Sequence, residues 1–289
     1  MSDAVPHEKT RRPITAETPI DRAFFQPVAR FVAELALGTP LPARWLTALS
    51  AFVGLAGASL FRFTSRLYVV IGALLLLLHA VLARAAVQLA RARGTASRTD
   101  RILGGISAYA VGLAASFAMA AQMAAAGDTG AGLLTFLGMG SVALQATLFD
   151  HYENRYLAHS DAEPPEESDL AETRAEIATL VEEGDSGAEV LLLRVHTVFL
   201  IFQRLLGGPA RPAPRTAEQA RAYAEELAPI ARAWAWLGSS THVLLLVALA
   251  CLGAFPVYLW LRITVGNAAM IALWIEQQRR ERAILSAAT

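Results

Sequence analysis

The residues of this chain that could do chemistry fall into three groups. Asp150, His151, Glu153 and Arg155 stand close together in one stretch. Two carboxylates and an imidazole are donors that a divalent cation accepts. His151 and Arg155, four residues apart, would share a helix face and suit a phosphate. The plain alternative is a charged helix terminus at a membrane surface. A second group is basic: Arg84, Arg91, Arg93, Arg98 and Arg101. Such a run anchors a helix end to anionic headgroups, and Arg91 could equally touch a lipid or nucleotide phosphate. The third group is His79, Gln122, Gln145, His242 and Asn267, each inside an apolar run. Ionisable groups there suggest function by default, whereas amides more often bond a neighbouring helix.

The elements that must position these groups are apolar helices. Of the 289 residues 55% are hydrophobic and 17% charged, and the mean hydropathy is +0.41. That balance points to a membrane protein over a soluble domain. A helix crosses a bilayer core with roughly 20 mostly apolar residues. Six segments, near 45–61, 67–83, 102–126, 129–149, 233–254 and 256–275, meet that length. Continuous apolar runs exclude the alternating strands of a β-barrel. A seventh run, Val190–Leu206, carries Arg194, His196, Gln203 and Arg204, and reads as a helix at the interface. If it did span, the two termini would lie on opposite sides.

The expected architecture is all-α and polytopic. It divides into a polar N-terminal tail (1–22), an interfacial amphipathic helix (23–42) and four transmembrane helices (43–150). An acidic linker with an interfacial helix (151–232), two further transmembrane helices (233–276) and a basic C-terminal tail (277–289) complete it. Apart from Lys9 the basic residues are arginines, and most flank one side of the six spans. The positive-inside bias then places both termini in the cytoplasm. Arg62 and Arg66 run against that bias. Arg262, early in the last span, is expected to snorkel outward. The acidic stretch 160–187 is expected to be partly disordered. Cys251 alone supports neither a disulfide nor a multi-cysteine zinc site. The N-terminal forty residues lack the apolar core of a secretory signal. The arginine clusters lack interleaved aromatics and hug the spans, which argues against a nucleic-acid partner.

From Ala83 the chain reads ARAAVQLARARGTASRTDRILGGISAYAVGLA. This resembles the signature of the CDP-alcohol phosphatidyltransferase family, D-x-x-D-G-x-x-A-R, eight residues, then G-x-x-x-D-x-x-x-D. Ala90 and Arg91 match by identity and the spacing holds without a gap. The four family aspartates fall on Ala83, Ala86, Gly104 and Ala108. The glycines fall on Val87 and Asp100. Upstream, Ala43, Arg44 and Thr47 stand where the family has Pro-Asn-x-x-Thr. The signature also bridges the second and third spans, as it does in the family.

The resemblance implies a membrane fold of about six helices and phospholipid metabolism in a bacterial cytoplasmic (inner) membrane. It also implies Mg²⁺ or Mn²⁺ as cofactor, held by carboxylates that bind a CDP-linked donor. Ala, Ala, Gly and Ala offer no such ligand, so no catalytic or metal residue is expected at these positions, and no cofactor. Arg91, His151 and Arg155 are the possible phosphate or lipid contacts. The expected partners are membrane lipids and a homodimer or a heteromer with an intact relative. Three functions stay open: a catalytically silent lipid-binding relative, an active transferase with a displaced site, and a membrane scaffold without a ligand. Gly104, Ala108, Gly112, Ser116, Ala120 and Ala124 form a small-residue stripe at spacing four, expected to be a helix-packing face.

Overall fold

A computed structural model describes residues 18–160, 170–184, 187–207 and 216–287. All regular elements among them are helical. A π-turn Asp21–Phe25 leads into α1 (Gln26–Leu37). Next come α2 (Ala43–Leu60), α3 (Arg66–Ala92), α4 (Arg98–Ala125) and α5 (Ala131–Ser160). They are followed by α6 (Leu170–Glu182), α7 (Ala188–Gly207) and α8 (Ala217–Ala235). The chain closes with α9 (Ser239–Cys251), α10 (Phe255–Leu261), a π-turn Arg262–Gly266 and α11 (Asn267–Ala287). Most of the expected N-terminal tail, and 161–169 and 185–186 of the acidic stretch, lie outside the described residues. Within that stretch, 170–182 is helix.

Seven helical stretches among the described residues are long and apolar enough to cross a membrane, where six were expected. This is the architecture of a polytopic membrane protein. The additional one is Glu189–Gly207, whose charged residues argued for an interfacial helix but are too few to lower its overall apolarity. The expected span 233–254 is interrupted: α8 ends at Ala235 and α9 begins at Ser239. A turn through Trp236, Leu237 and Gly238 separates them. The last helix continues through 277–287, where a tail was expected, and buries Gln277 and Glu281.

The chain forms two compact units. The first holds residues 18–143 and 239–267, and the second residues 144–238 and 268–287 of those described. In the first, α2 packs on both α3 and α4, while α1 and α9 pack on α3. Close approach is set by glycines. A Cβ at Gly57 would come 2.8 Å from the Gly72 carbonyl oxygen, and one at Gly72 would come 2.6 Å from that of Gly57. Backbone therefore lies on backbone at this crossing, as small residues permit. At Gly54 the α2 backbone instead receives the side chains of His79 and Val111. The core continues through Phe61, Leu76, Val111, Met119, Val247, Phe255 and Leu259.

Arg262 does not snorkel. It is 4% exposed and its guanidinium donates to His242 Nε2, so the imidazole is the acceptor. Within the second unit, Leu148, Tyr152, Tyr156, Tyr223, Leu227, Trp234 and Met270 form the core. Tyr152 and Trp234 stack there with ring centroids 5.0 Å apart.

Candidate functional site

The four positions matched to the family aspartates have different surroundings. Ala86 is 3% exposed, in a cluster with Ala29 and Ala33 of α1 and Leu46 of α2. Ala83 is half-buried, Ala108 is exposed, and a Cβ at Gly104 would meet open space. None carries a side-chain oxygen, so these residues do not fit Mg²⁺ or Mn²⁺.

Within its own unit, the stripe on α4 does not pack as a continuous face. A Cβ at Gly112 also meets open space, and Ala108 and Ala124 are exposed. Ser116 is buried, but its hydroxyl returns to the Gly112 carbonyl at 2.8 Å. The close contacts fall instead on Gly54 and Gly57, in a G-x-x-G spacing on α2, and on Gly72 of α3.

The intramembrane polar residues mostly tie helices together. His79 Nδ1 donates to the Ser50 carbonyl of α2 at 2.8 Å, so it faces α2 rather than an open cavity. Gln122 donates to the Phe63 carbonyl at 2.7 Å, and Asn267 donates to Ser141 at 2.9 Å. Gln145 is fully buried.

Around the signature, two arginines of the basic group, Arg93 and Arg84, carry the visible chemistry. Arg93 donates to the carbonyls of Ala36 (2.9 Å), Thr39 (2.6 Å) and Leu41. It thereby caps the end of α1 and the turn into α2, using carbonyls that helix termini leave unsatisfied. Arg91, the residue that matches the family, is half-buried.

Arg84 lies beside Ala83. Its Nη1 donates to the Ala80 carbonyl (2.9 Å), and its Nη2 donates to the hydroxyls of Ser240 (2.6 Å) and Ser239 (3.4 Å). Nε stands 3.4 Å from Asp21 Oδ1, and the guanidinium lies over the Phe25 ring. Ser240 donates to the same Asp21 oxygen, and Thr18 donates to the other at 2.7 Å. Spacing along the chain does not reveal this grouping, because Asp21, Arg84 and Ser240 are far apart in it.

In the second unit, the Asp150–Arg155 stretch contributes Arg155 to a buried ion pair with Glu281. Arg155 Nη1 donates to Glu281 Oε2 at 3.2 Å, and Nη2 donates to His151 Nε2 at 2.9 Å. Because guanidinium only donates, His151 accepts through Nε2. Glu281 Oε1 also receives Gln277 Nε2 (2.7 Å) and the Tyr223 hydroxyl (3.3 Å). Tyr152 donates to the Gly207 carbonyl (3.3 Å) and receives Gln278 Nε2 (2.9 Å). The His151 ring lies directly over Gly207, where any side chain would collide with it.

Asp150, His151 and Glu153 do not assemble as ligands. At about 100° per residue, Asp150 and Glu153 share one helix face, while His151 turns away from them and aligns with Arg155. Among the described residues no three His, Cys, Asp or Glu side chains group to hold a metal ion. No protein-family model matches the chain, and no curated protein matches it.

Proposed function

We propose that the protein is a CDP-alcohol phosphatidyltransferase-like membrane protein that binds phospholipid and does not carry out metal-dependent phosphatidyl transfer. One observation carries this reading. The signature spacing is kept across the ends of α3 and α4, yet Ala83, Ala86, Gly104 and Ala108 supply no oxygen to a cation. Displacement at a pyrophosphate needs its developing charge neutralised, and the nearby guanidinium of Arg84 already lies against Asp21 and two serines.

Membrane lipids are the partners this reading implies, with a homodimer or a heteromer with an intact relative as the assembled form. It also carries the bacterial cytoplasmic membrane as location. A displaced active site at Asp150, His151 and Glu153 is less well supported, since His151 and Arg155 are bound up with Glu281.

The test is a transfer assay. Purified protein receives CDP-diacylglycerol or a CDP-choline-type donor, Mg²⁺ or Mn²⁺, and a range of alcohols. The expected result is no CMP above a protein-free control, with phospholipid retained through purification. Metal-dependent CMP release would overturn the reading.

A further inference from the structure

The Arg84 grouping has the composition of an anion site and already holds an anion. Ser239 and Ser240 open α9, a helix of 13 residues. Amide N–H groups at such an end face outward with the positive pole of the helix. Arg84 brings a guanidinium to the same place, set by the Ala80 carbonyl and the Phe25 ring. The occupant is Asp21, whose Oδ1 receives Ser240 and stands 3.4 Å from Arg84 Nε. That 3.4 Å separation is longer than the roughly 2.7–2.9 Å of a close charge-assisted hydrogen bond. The Arg84 and Asp21 side chains are 20% and 17% exposed, so the site borders the outside of the unit.

Depth suggests which anion would come there. Arg84 lies 18 residues along α3 from Arg66, about 27 Å at 1.5 Å per residue. A hydrocarbon core is about 30 Å thick. With Arg66 at one boundary, Arg84 falls near the other, at the level of lipid phosphates.

We propose that Arg84, Ser239 and Ser240 form a phosphate-binding site for an anionic phospholipid headgroup, and that Asp21 is a tethered carboxylate plugging it. When the plug leaves, Ser240 donates to a phosphate oxygen in place of Asp21, and the Arg84 guanidinium engages the same group. A phosphate offers more acceptor oxygens and charge than a carboxylate. The proposal rests on the lipid-binding reading above and specifies where the headgroup sits.

The test uses the full-length protein in detergent, with phosphatidic acid, diacylglycerol and inorganic phosphate as probes, read by native mass spectrometry. Asp21→Asn keeps the shape of the side chain and removes its charge. It is expected to raise phosphatidic acid affinity roughly tenfold or more, as relief of a competing state does. Arg84→Gln in that background is expected to abolish the gain, and Ser240→Ala to reduce it. Diacylglycerol, lacking phosphate, is expected to show no change. Thermal unfolding of each variant confirms a folded chain, and Ser240→Ala in the wild-type background gives a second route should Arg84→Gln not fold. A gain that survives Arg84→Gln, or no gain in Asp21→Asn, would overturn the site. An equal gain with inorganic phosphate alone would keep the site and reassign its source to free phosphate. Phospholipid retained equally by every variant would remove this site and leave the lipid-binding reading standing. Retention by none would remove both.

Discussion

Arg84 with Asp21, and Arg155 with Glu281, pair the same two groups at similar separations, 3.4 and 3.2 Å. Their surroundings differ. The first pair is 20% and 17% exposed, the second 8% and 1%. Glu281 is further held by Gln277 and Tyr223, and Arg155 by His151. A buried pair with its remaining valences filled is committed, since removing one partner strands a charge in low dielectric. A partly exposed pair can exchange its anion at small cost. Burial, more than distance, therefore separates a structural bolt from a site that can open.

The largest effect should come from the bolt. Glu281→Ala leaves Arg155 buried without its carboxylate and is expected to cost about 3–5 kcal/mol in unfolding. Replacing both, Arg155→Met with Glu281→Met, should recover most of that loss, because apolar pairs of similar volume often match a buried ion pair. Denaturation in detergent measures both. A cost below about 1 kcal/mol for Glu281→Ala would make the two pairs alike and dissolve the contrast.

A second effect tests how the first unit brings its helices together. Gly72→Ala places a Cβ 2.6 Å from the Gly57 carbonyl oxygen. Neither backbone can move aside easily, so a loss of about 1–3 kcal/mol is expected. Gly112→Ala meets open space and should be neutral or stabilising by up to about 1 kcal/mol, the helix preference of alanine over glycine. Equal losses at both positions, read as shifts in Tm, would restore the α4 stripe as the packing face.

Much of the helical plan was legible in the sequence, because apolar length alone specifies a candidate span. Expected 45–61 and 102–126 lie close to Ala43–Leu60 and Arg98–Ala125. Hydropathy missed the turn at 236–238, since Trp236 and Leu237 are themselves apolar. It also stopped the last helix early, because polar Gln277 and Glu281 bury themselves by hydrogen bonding, which composition does not reveal. His151 and Arg155 were readable as one helix face from their spacing, but their partner Glu281 lies 126 residues beyond Arg155. Asp21 escaped for the same reason, joining Arg84 and Ser240 only through the packing of α1 and α9 on α3. Small residues at spacing four on α4 and the G-x-x-G of α2 are equally good candidates for close packing. Only the neighbours each meets in the fold decide between them.

The smallest expected effect sets the two pairs side by side under the same isosteric change. Asp21→Asn keeps one acceptor oxygen, enough for Ser240 or Thr18, and removes one charge from a partly exposed pair, so the stability loss should stay near or under about 1 kcal/mol. Glu281→Gln makes the same change in the buried pair, where Arg155 would lose its counter-charge at 1–8% exposure. Its cost should exceed that of Asp21→Asn by more than about 1 kcal/mol, following the penalty for uncompensated buried charge. Added salt sharpens the comparison. Screening acts on exposed charges and leaves buried ones largely untouched, so raising ionic strength should shrink the small Asp21→Asn loss and leave the Glu281→Gln loss nearly unchanged. If both losses respond to salt alike, the two arginines share one environment, and the exchangeable character assigned to Arg84 has no physical basis.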